Sequence, residues 1–337
     1  MAKKQIRVAV VGVGATAQVN HIPALKKSEG ADLVALCDRD EEKAARVAQR
    51  YGVPHSVETL DELLRDDELD AIVVCTPNYL HAPMAIAALQ AGKHVLVERP
   101  MARNAAEAEK MAQAAKKSDL VLMCSLAHRY RADAQILKKF VDGKELGRVF
   151  YAKAGWLRQR SNWKPEDWRD KKRETGGGVL LDLGFQMLDL SLWMLGHPAV
   201  DSVTASAHFP PQTQVEDSLC AFLRLETGAM LTLEVTWGLL MEKDFAYCNL
   251  FGEHGAALWN PLRMHRAMHG SLVNVTPTVD SPRNVYKQAV EAQIASFVDA
   301  VRKGSPSPSS VQEALTVMRL VDAIYRSAET GREVKLG

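Results

Sequence analysis

Apolar positions fall into two textures along this chain. Between residues 6 and 124, short continuous apolar runs at 6–11, 33–37, 71–75, 94–97 and 120–124 alternate with Ala- and charge-rich stretches of helical spacing. Those stretches cover 41–51, 59–65, 79–91 and 104–117, and a short piece at 55–57 reads as a further strand. Strands that are apolar throughout and separated by helices imply a parallel sheet covered on both faces. The first half is therefore expected to be a doubly wound α/β Rossmann domain over 1–125.

Beyond that point the pattern changes. A helix is expected at 134–141 and an alternating strand at 149–156, followed by a polar loop, RQRSNWKPEDWRDKKRE. A glycine run leads into an apolar helix over about 180–195, ended by Gly196 and Pro198. Strand signals then recur at 200–208, 218–225, 229–237 and 245–251, and amphipathic helices at 286–301 and 311–326 close the chain. This predicts an α+β domain over 126–337 with an open, mostly antiparallel mixed sheet. Helices on one side of such a sheet leave the other face to be buried. Leu219, Ala221, Leu223 and Leu225 form a candidate row on that face, and a second copy is its simplest cover. A monomer with a solvated face is the plain alternative.

At 337 residues the chain exceeds what one compact core usually holds. Its net charge of +1 gives no electrostatic case for a nucleic-acid partner. No run approaches the ~18 apolar residues of a membrane span. The start, MAKKQIRVAVVG, reads as a first strand rather than a secretory leader. Five cysteines, Cys37, Cys75, Cys124, Cys220 and Cys248, include no CxxC pair. They are expected to be reduced, buried thiols of a cytoplasmic protein, with no metal site.

The first turn is GVGATAQ. Gly12 and Gly14 fit the first two positions of GxGxxG, with Ala17 at the third. The first glycine makes the tight turn and the second lets backbone approach a pyrophosphate, while the third position packs helix on strand. Backbone N–H groups across Ala15, Thr16 and Ala17 would face the phosphates at the helix start. Asp38 ends the second strand, where a carboxylate binds the adenosine ribose hydroxyls. It would repel a 2′-phosphate, which favours NAD. Arg39 argues for NADP as the alternative, and its plain reading is a solvated surface arginine.

From end to end the chain resembles the glucose–fructose oxidoreductase / inositol dehydrogenase / rhizopine-catabolism oxidoreductases. The resemblance rests on GVGATA, HIPAL at 21–25, CDRDEEKA at 37–44, CTPNYLHAPMAIAALQAGKHVLVERPMA at 75–102 and GGGVLLDLGFQMLD at 176–189. It implies a Rossmann domain followed by a domain with an open mixed sheet, often a homodimer or homotetramer through that sheet. It implies oxidation or reduction of a sugar, inositol or sugar-derivative carbon with NAD or NADP. It places Thr76, Pro77 and Asn78, with His81 at the helix start after them, and Glu98 at the nicotinamide end of the cofactor.

The family's usual lysine after Glu98 is Arg99 here, and its usual histidine four residues after Asp182 is Gln186; Asp182 and Asp189 match. Arginine stays protonated. Glutamine donates and accepts hydrogen bonds but has no usable basicity. The catalytic set is thus Arg99, Asp182 and Gln186, with Asp182 the leading base and His81, Tyr79, His128 and Tyr130 as stand-ins. The same departures leave open a reductase, or a cofactor-binding sensor without turnover. Gly176, Gly177 and Gly178 are expected to let the chain approach the cofactor cleft. In the polar loop, Arg158, Arg160, Trp163, Trp168 and Arg169 are candidates for binding the sugar. Their arginine excess leans toward a sugar carrying an acidic group.

Overall fold

A computed structural model describes residues 5–159, 171–211, 213–278, 284–305 and 309–336. The chain forms two compact units. The first comprises residues 1–127 and 284–316, the second residues 128–283 and 317–337. The units are not contiguous in sequence, whereas the expected organisation has one break at 125/126. The reason is local packing: Lys27 pairs with Glu291 at 2.6 Å, and a Cβ on Gly30 would lie 2.7 Å from Val298 Cγ1.

The first unit runs β1 (Ile6–Val11), α1 (Ile22–Lys27), β2 (Ala31–Cys37), α2 (Glu41–Tyr51), β3 (His55–Val57), α3 (Leu60–Leu64), β4 (Ala71–Val74), α4 (Asn78–Gln90), β5 (His94–Val97), α5 (Ala105–Ser118) and β6 (Leu122–Cys124). Its sheet is parallel throughout, in the order β3-β2-β1-β4-β5-β6. This is the doubly wound order with its switch point between β1 and β4, so ligand-binding groups are expected at the carboxyl ends of those strands. Caps set the helix starts: the Asp40 side chain accepts from Lys43 N, and Asn104 from Glu107 N. A π-helical turn, Ala17–His21, precedes α1 and runs straight into it.

The second unit contains α6 (Ala132–Asp142), β7 (Val149–Gln159), α7 (Lys172–Thr175), α8 (Phe185–Met194), β8 (Val200–His208), β9 (Ser218–Leu225), β10 (Met230–Leu239), β11 (Phe245–Gly252), β12 (Gly255–Trp259), β13 (Arg263–Met268) and β14 (Ser271–Asn274). Helix α9 (Val285–Lys303) belongs to the first unit, α10 (Val311–Thr330) is divided between the two, and β15 (Val334–Lys335) completes the second. The nine-stranded order is β14-β13-β12-β11-β7-β10-β9-β8-β15, antiparallel except for the β7–β10 pair.

Strand β9 overturns the expected outer face. Leu219, Ala221, Leu223 and Leu225 are buried within the chain itself, on the face where Leu231, Leu233 and Val235 of β10 sit beside them and where α8 and the turn before it pack on β7, β10 and β11. That also explains why α8 is apolar nearly all round. The open face instead carries Cys220, Phe222 and Arg224 beside Thr232, Glu234, Tyr151 and Phe251. Cys220 is accordingly exposed rather than buried, while Cys37, Cys124 and Cys248 are buried; all five cysteines are free thiols. No helix among the described residues is long and apolar enough to cross a membrane.

Candidate active site

The glycine turn has the geometry that dinucleotide binding needs. Gly12 sits at φ +88°, and a Cβ there would lie 2.7 Å from the Cys75 carbonyl oxygen, so the residue is fixed by the chain's own backbone. A Cβ on Gly14 would meet nothing within 4 Å, which leaves the open approach a pyrophosphate requires. Asp38 Oδ2 accepts from Val13 N at 2.9 Å and from Lys43 Nζ at 3.0 Å, and Oδ1 accepts from Asp40 N at 3.2 Å. Burial pushes its pKa up, but these donors outweigh burial and hold it below the ordinary value. Arg39 is exposed.

Two turns leave the carboxyl ends of β4 and β5. In the first, Thr76 Oγ1 is buried with no hydrogen-bond partner among the described residues, in a turn expected at the nicotinamide. His81 is the fourth residue of α4, in its first turn. It is buried, with Nδ1 2.8 Å from Pro100 O and Nε2 2.8 Å from Thr76 O, and so ties one turn to the other. Burial holds its pKa below the ordinary value against the pull of both carbonyls. Tyr79, two residues earlier in α4, is partly exposed.

Glu98 points inward. Its Oε1 lies 2.5 Å from His21 Nε2 and accepts from Ser125 Oγ at 3.0 Å, while Oε2 accepts from Arg99 N at 3.0 Å. Burial would raise its pKa, yet His21, Arg99 and Ser125 hold it at about 2. Burial would lower that of His21, and Cys75 and Glu98 together hold it well above its ordinary value. Glu98 is shifted down and His21 up, and both shifts favour the ion pair.

In the second unit the three glycines serve packing. Gly176 ends α7 at φ +90°, a Cβ on Gly177 would overlap the Tyr325 hydroxyl, and one on Gly178 would overlap the Glu216 backbone. Contacts inside this unit account for Gly177 and Gly178, and the left-handed turn accounts for Gly176. Glu216 is buried and accepts from Gly178 N, Leu180 N at 3.0 Å and Tyr325 Oη at 2.8 Å. Burial raises its pKa against those donors. The carboxylate thus anchors the start of a π-helical turn, Leu180–Gly184, that carries Asp182.

Asp182 Oδ2 accepts from Trp237 Nε1 at 3.1 Å and from Arg158 Nη1 at 3.4 Å, and the side chain is 22% exposed. The Gln186 amide nitrogen donates to the Asp182 carbonyl oxygen at 2.8 Å. Asp189 is buried in a bidentate pair with Arg129, Nε to Oδ2 at 2.9 Å and Nη2 to Oδ1 at 2.5 Å, and so holds α8 rather than a ligand. His128 is buried and lies edge-on to Trp156 at 5.4 Å and Trp259 at 5.5 Å. Tyr130 closes the short 3₁₀ turn beside it.

Arg158 belongs to strand β7 rather than to a loop. It stacks on Trp156 at 5.0 Å and is shared between Asp182 and Asp244, the latter at 3.8 Å. Arg160, Trp163, Trp168 and Arg169 lie outside the described residues. His21, Ser125, Gln293, Glu216, Trp237 and Asp244 are the functional candidates that the sequence did not single out. HIPAL at 21–25 is part of the motif series, so His21 had a signal; the others had none beyond residue type.

The family model described as "Oxidoreductase family, NAD-binding Rossmann fold" matches residues 6–126, and "Oxidoreductase family, C-terminal alpha/beta domain" matches 138–336. D-glucoside 3-dehydrogenase of Escherichia coli (strain K12) is 29% identical over 100% of this chain and 99% of its own length. D-xylose 1-dehydrogenase (NADP(+)) 2 of Haloferax volcanii is 29% identical over 97% and 98%. Among solved structures, GenD2 from gentamicin A biosynthesis in complex with NAD superimposes with a TM-score of 0.88 at 28% identity, covering 100% of this chain and 98% of that one.

Proposed function

The chain belongs to the Gfo/Idh/MocA oxidoreductase family, with an NAD-binding Rossmann fold in its first unit, and on that premise we propose that it is a dehydrogenase or reductase of a CH–OH/C=O carbon on a sugar, inositol or sugar derivative. The bound nicotinamide supplies or accepts the hydride. The chain's own residues handle the proton and the oxygen. Asp182 takes the hydroxyl proton in oxidation and returns it in reduction. Trp237 and Arg158 fix its carboxylate. Gln186, whose amide nitrogen holds the Asp182 carbonyl oxygen, orients the substrate hydroxyl through its side-chain oxygen without titrating, and Arg99 stabilises charge on the substrate oxygen in the transition state. The observation that carries this reading is the partly exposed Asp182 carboxylate, held by two donors in the segment that matches the family's catalytic pattern.

The test is absorbance of reduced nicotinamide, with purified protein, NAD and a panel of sugars and polyols. Turnover that Asp182→Asn abolishes supports the assignment; undiminished turnover in that variant removes Asp182 as the base. A second reading has an observation of its own. Gln186 has no base character and its amide nitrogen is committed to backbone, which favours a sensor that binds cofactor and sugar without turnover. Saturable binding of sugar to the NAD-loaded protein, with no redox change for any panel member, would establish that reading.

NAD is preferred to NADP because Asp38 is ionised and aimed at the loop that ends β1. Of the loop arginines expected to favour an acidic sugar, Arg158 is the one among the described residues, and its pairing favours a neutral sugar or polyol. Asp182 and Asp244 share Arg158, so that cation is already neutralised. Relatives named for a glucoside and for xylose agree with this. The protein assembles as a homodimer or homotetramer on the open face of its large sheet. Tyr151 and Phe251 stack there at 5.5 Å beside the Lys153–Glu234 pair. Light scattering of wild type against Phe222→Lys tests that assembly.

A further inference from the structure

The turn Glu98–Arg99–Pro100 carries the cation of the proposed catalytic set, and its fixings run into the protein. Gln293 Nε2 donates to Ser125 Oγ at 3.0 Å, Ser125 Oγ donates to Glu98 Oε1 at 3.0 Å, and His21 Nε2 meets the same oxygen at 2.5 Å. The other oxygen of Glu98 receives the Arg99 amide at 3.0 Å. Three elements thus converge on one carboxylate: the turn before α1, the end of β6, and α9. His21 and Gln293 are 0% exposed and Ser125 is 3% exposed, so none of them can touch substrate or cofactor.

We propose that His21, backed by Ser125 and Gln293, is a positioning residue that acts through Glu98 to fix the Arg99 backbone and so the placement of the guanidinium at the reacting carbon. The inference rests on the role proposed for Arg99. A buried ion pair is poor as a stability device, because well-packed apolar residues of similar volume often do as well. Its use here is directional. An arginine side chain has several rotatable bonds, and placement errors at a catalytic group are costly, up to about 10²-fold for a shift of about 1 Å. A rigid backbone origin removes one source of that error.

The test compares wild type with His21→Gln/Glu98→Gln, which replaces the pair by neutral groups of similar shape, and with Arg99→Ala in both backgrounds. The expected result is a fall in kcat of about tenfold to a hundredfold for the neutral pair, with little change in KM. In the Arg99→Ala background the same pair substitution should change kcat by less than about twofold, the signature of coupled sites. Independent, multiplying losses would overturn the proposal. Hydrogen exchange at the Arg99 amide supplies a readout that needs no substrate: it should be slow in wild type and fast in the neutral-pair variant. Unchanged exchange overturns the proposal even if no sugar is ever turned over, and faster exchange supports it in that case. Should the pair variant not fold, Ser125→Ala removes one donor only and is read by the same exchange measurement.

Discussion

Gln186 is joined to Asp182 through the backbone: its amide nitrogen donates to the Asp182 carbonyl oxygen at 2.8 Å, while the Asp182 carboxylate turns to Trp237 and Arg158. The two residues four apart therefore do not form a side-chain dyad. The amide fixes the π turn, and the carboxylate has its own holders. A histidine in place of Gln186 would put a titrating ring one helical turn after a carboxylate that is already oriented. We predict that Gln186→His raises kcat and adds a limb near pH 6.5 to the pH–rate profile. A profile with no new limb would show that position 186 does not reach the proton in flight.

Trp237 should matter for the same reason. Its indole N–H donates to a carboxyl oxygen of Asp182 at 3.1 Å, a bond worth about 0.5–1.5 kcal/mol. Trp237→Phe keeps the ring and deletes that donor. We expect kcat to fall about tenfold, less than the ~10²–10⁴ lost when a general base is removed in Asp182→Asn. NADH affinity, read by fluorescence titration, should stay as in wild type in both variants.

The glycines divide into two kinds, and alanine substitution should separate them. A Cβ on Gly14 meets nothing in the chain, whereas one on Gly178 overlaps the Glu216 backbone. Gly14→Ala should keep the wild-type Tm and lose NAD affinity. Gly178→Ala should lose stability by about 1–3 kcal/mol or more, with a lowered Tm in the absence of any ligand. Equal Tm values for the two would contradict this division.

Much of this was legible in the sequence, and the misses have physical causes. The parallel sheet was readable because its strands are continuous apolar runs and its first turn needs Gly12. The strands after β11 were missed: β13 and β14 are short, polar and largely exposed, without the alternation that marks a half-buried strand. The Leu219–Leu225 row was read correctly as one face, but periodicity cannot say which of two faces the chain's own helix covers. The π turns at Ala17–His21 and Leu180–Gly184 carry His21 and Asp182, and nothing in residue spacing distinguishes them from α-helix. Asp182 stands out by motif. Trp237, 55 residues away, becomes its partner only through the register of β10 in the sheet.

Cofactor choice should turn on Asp38. Its carboxylate pairs with Lys43 at 3.0 Å and caps the glycine loop through Val13 N. Asp38→Ser removes the charge that repels a 2′-phosphate and releases Lys43 to meet one. We expect the ratio of NADPH to NADH affinity to rise by about tenfold or more, since one ionic contact exchanged is worth at least ~1.4 kcal/mol in a partly buried site. An unchanged ratio from parallel fluorescence titrations would mean that the selectivity lies elsewhere.

The His21–Glu98 pair should leave a signature in stability against pH. Glu98 has a folded pKa of about 2, below its ordinary 4.5, so its contribution is present above 4.5 and is lost as pH falls toward 2. His21 is held well above 6.5, so above that pH the folded chain binds a proton that the unfolded chain has released. Its contribution is complete below 6.5 and is lost as pH rises through its folded value. Measured as Tm, the difference between wild type and His21→Gln/Glu98→Gln should be greatest between about pH 4.5 and 6.5 and shrink on both sides. Cys75 is coupled to both residues and contributes to the difference, whereas titrating groups that meet neither residue cancel in it. A difference that stays flat from pH 4 to 9 would show that the pair is not ionised in the folded chain.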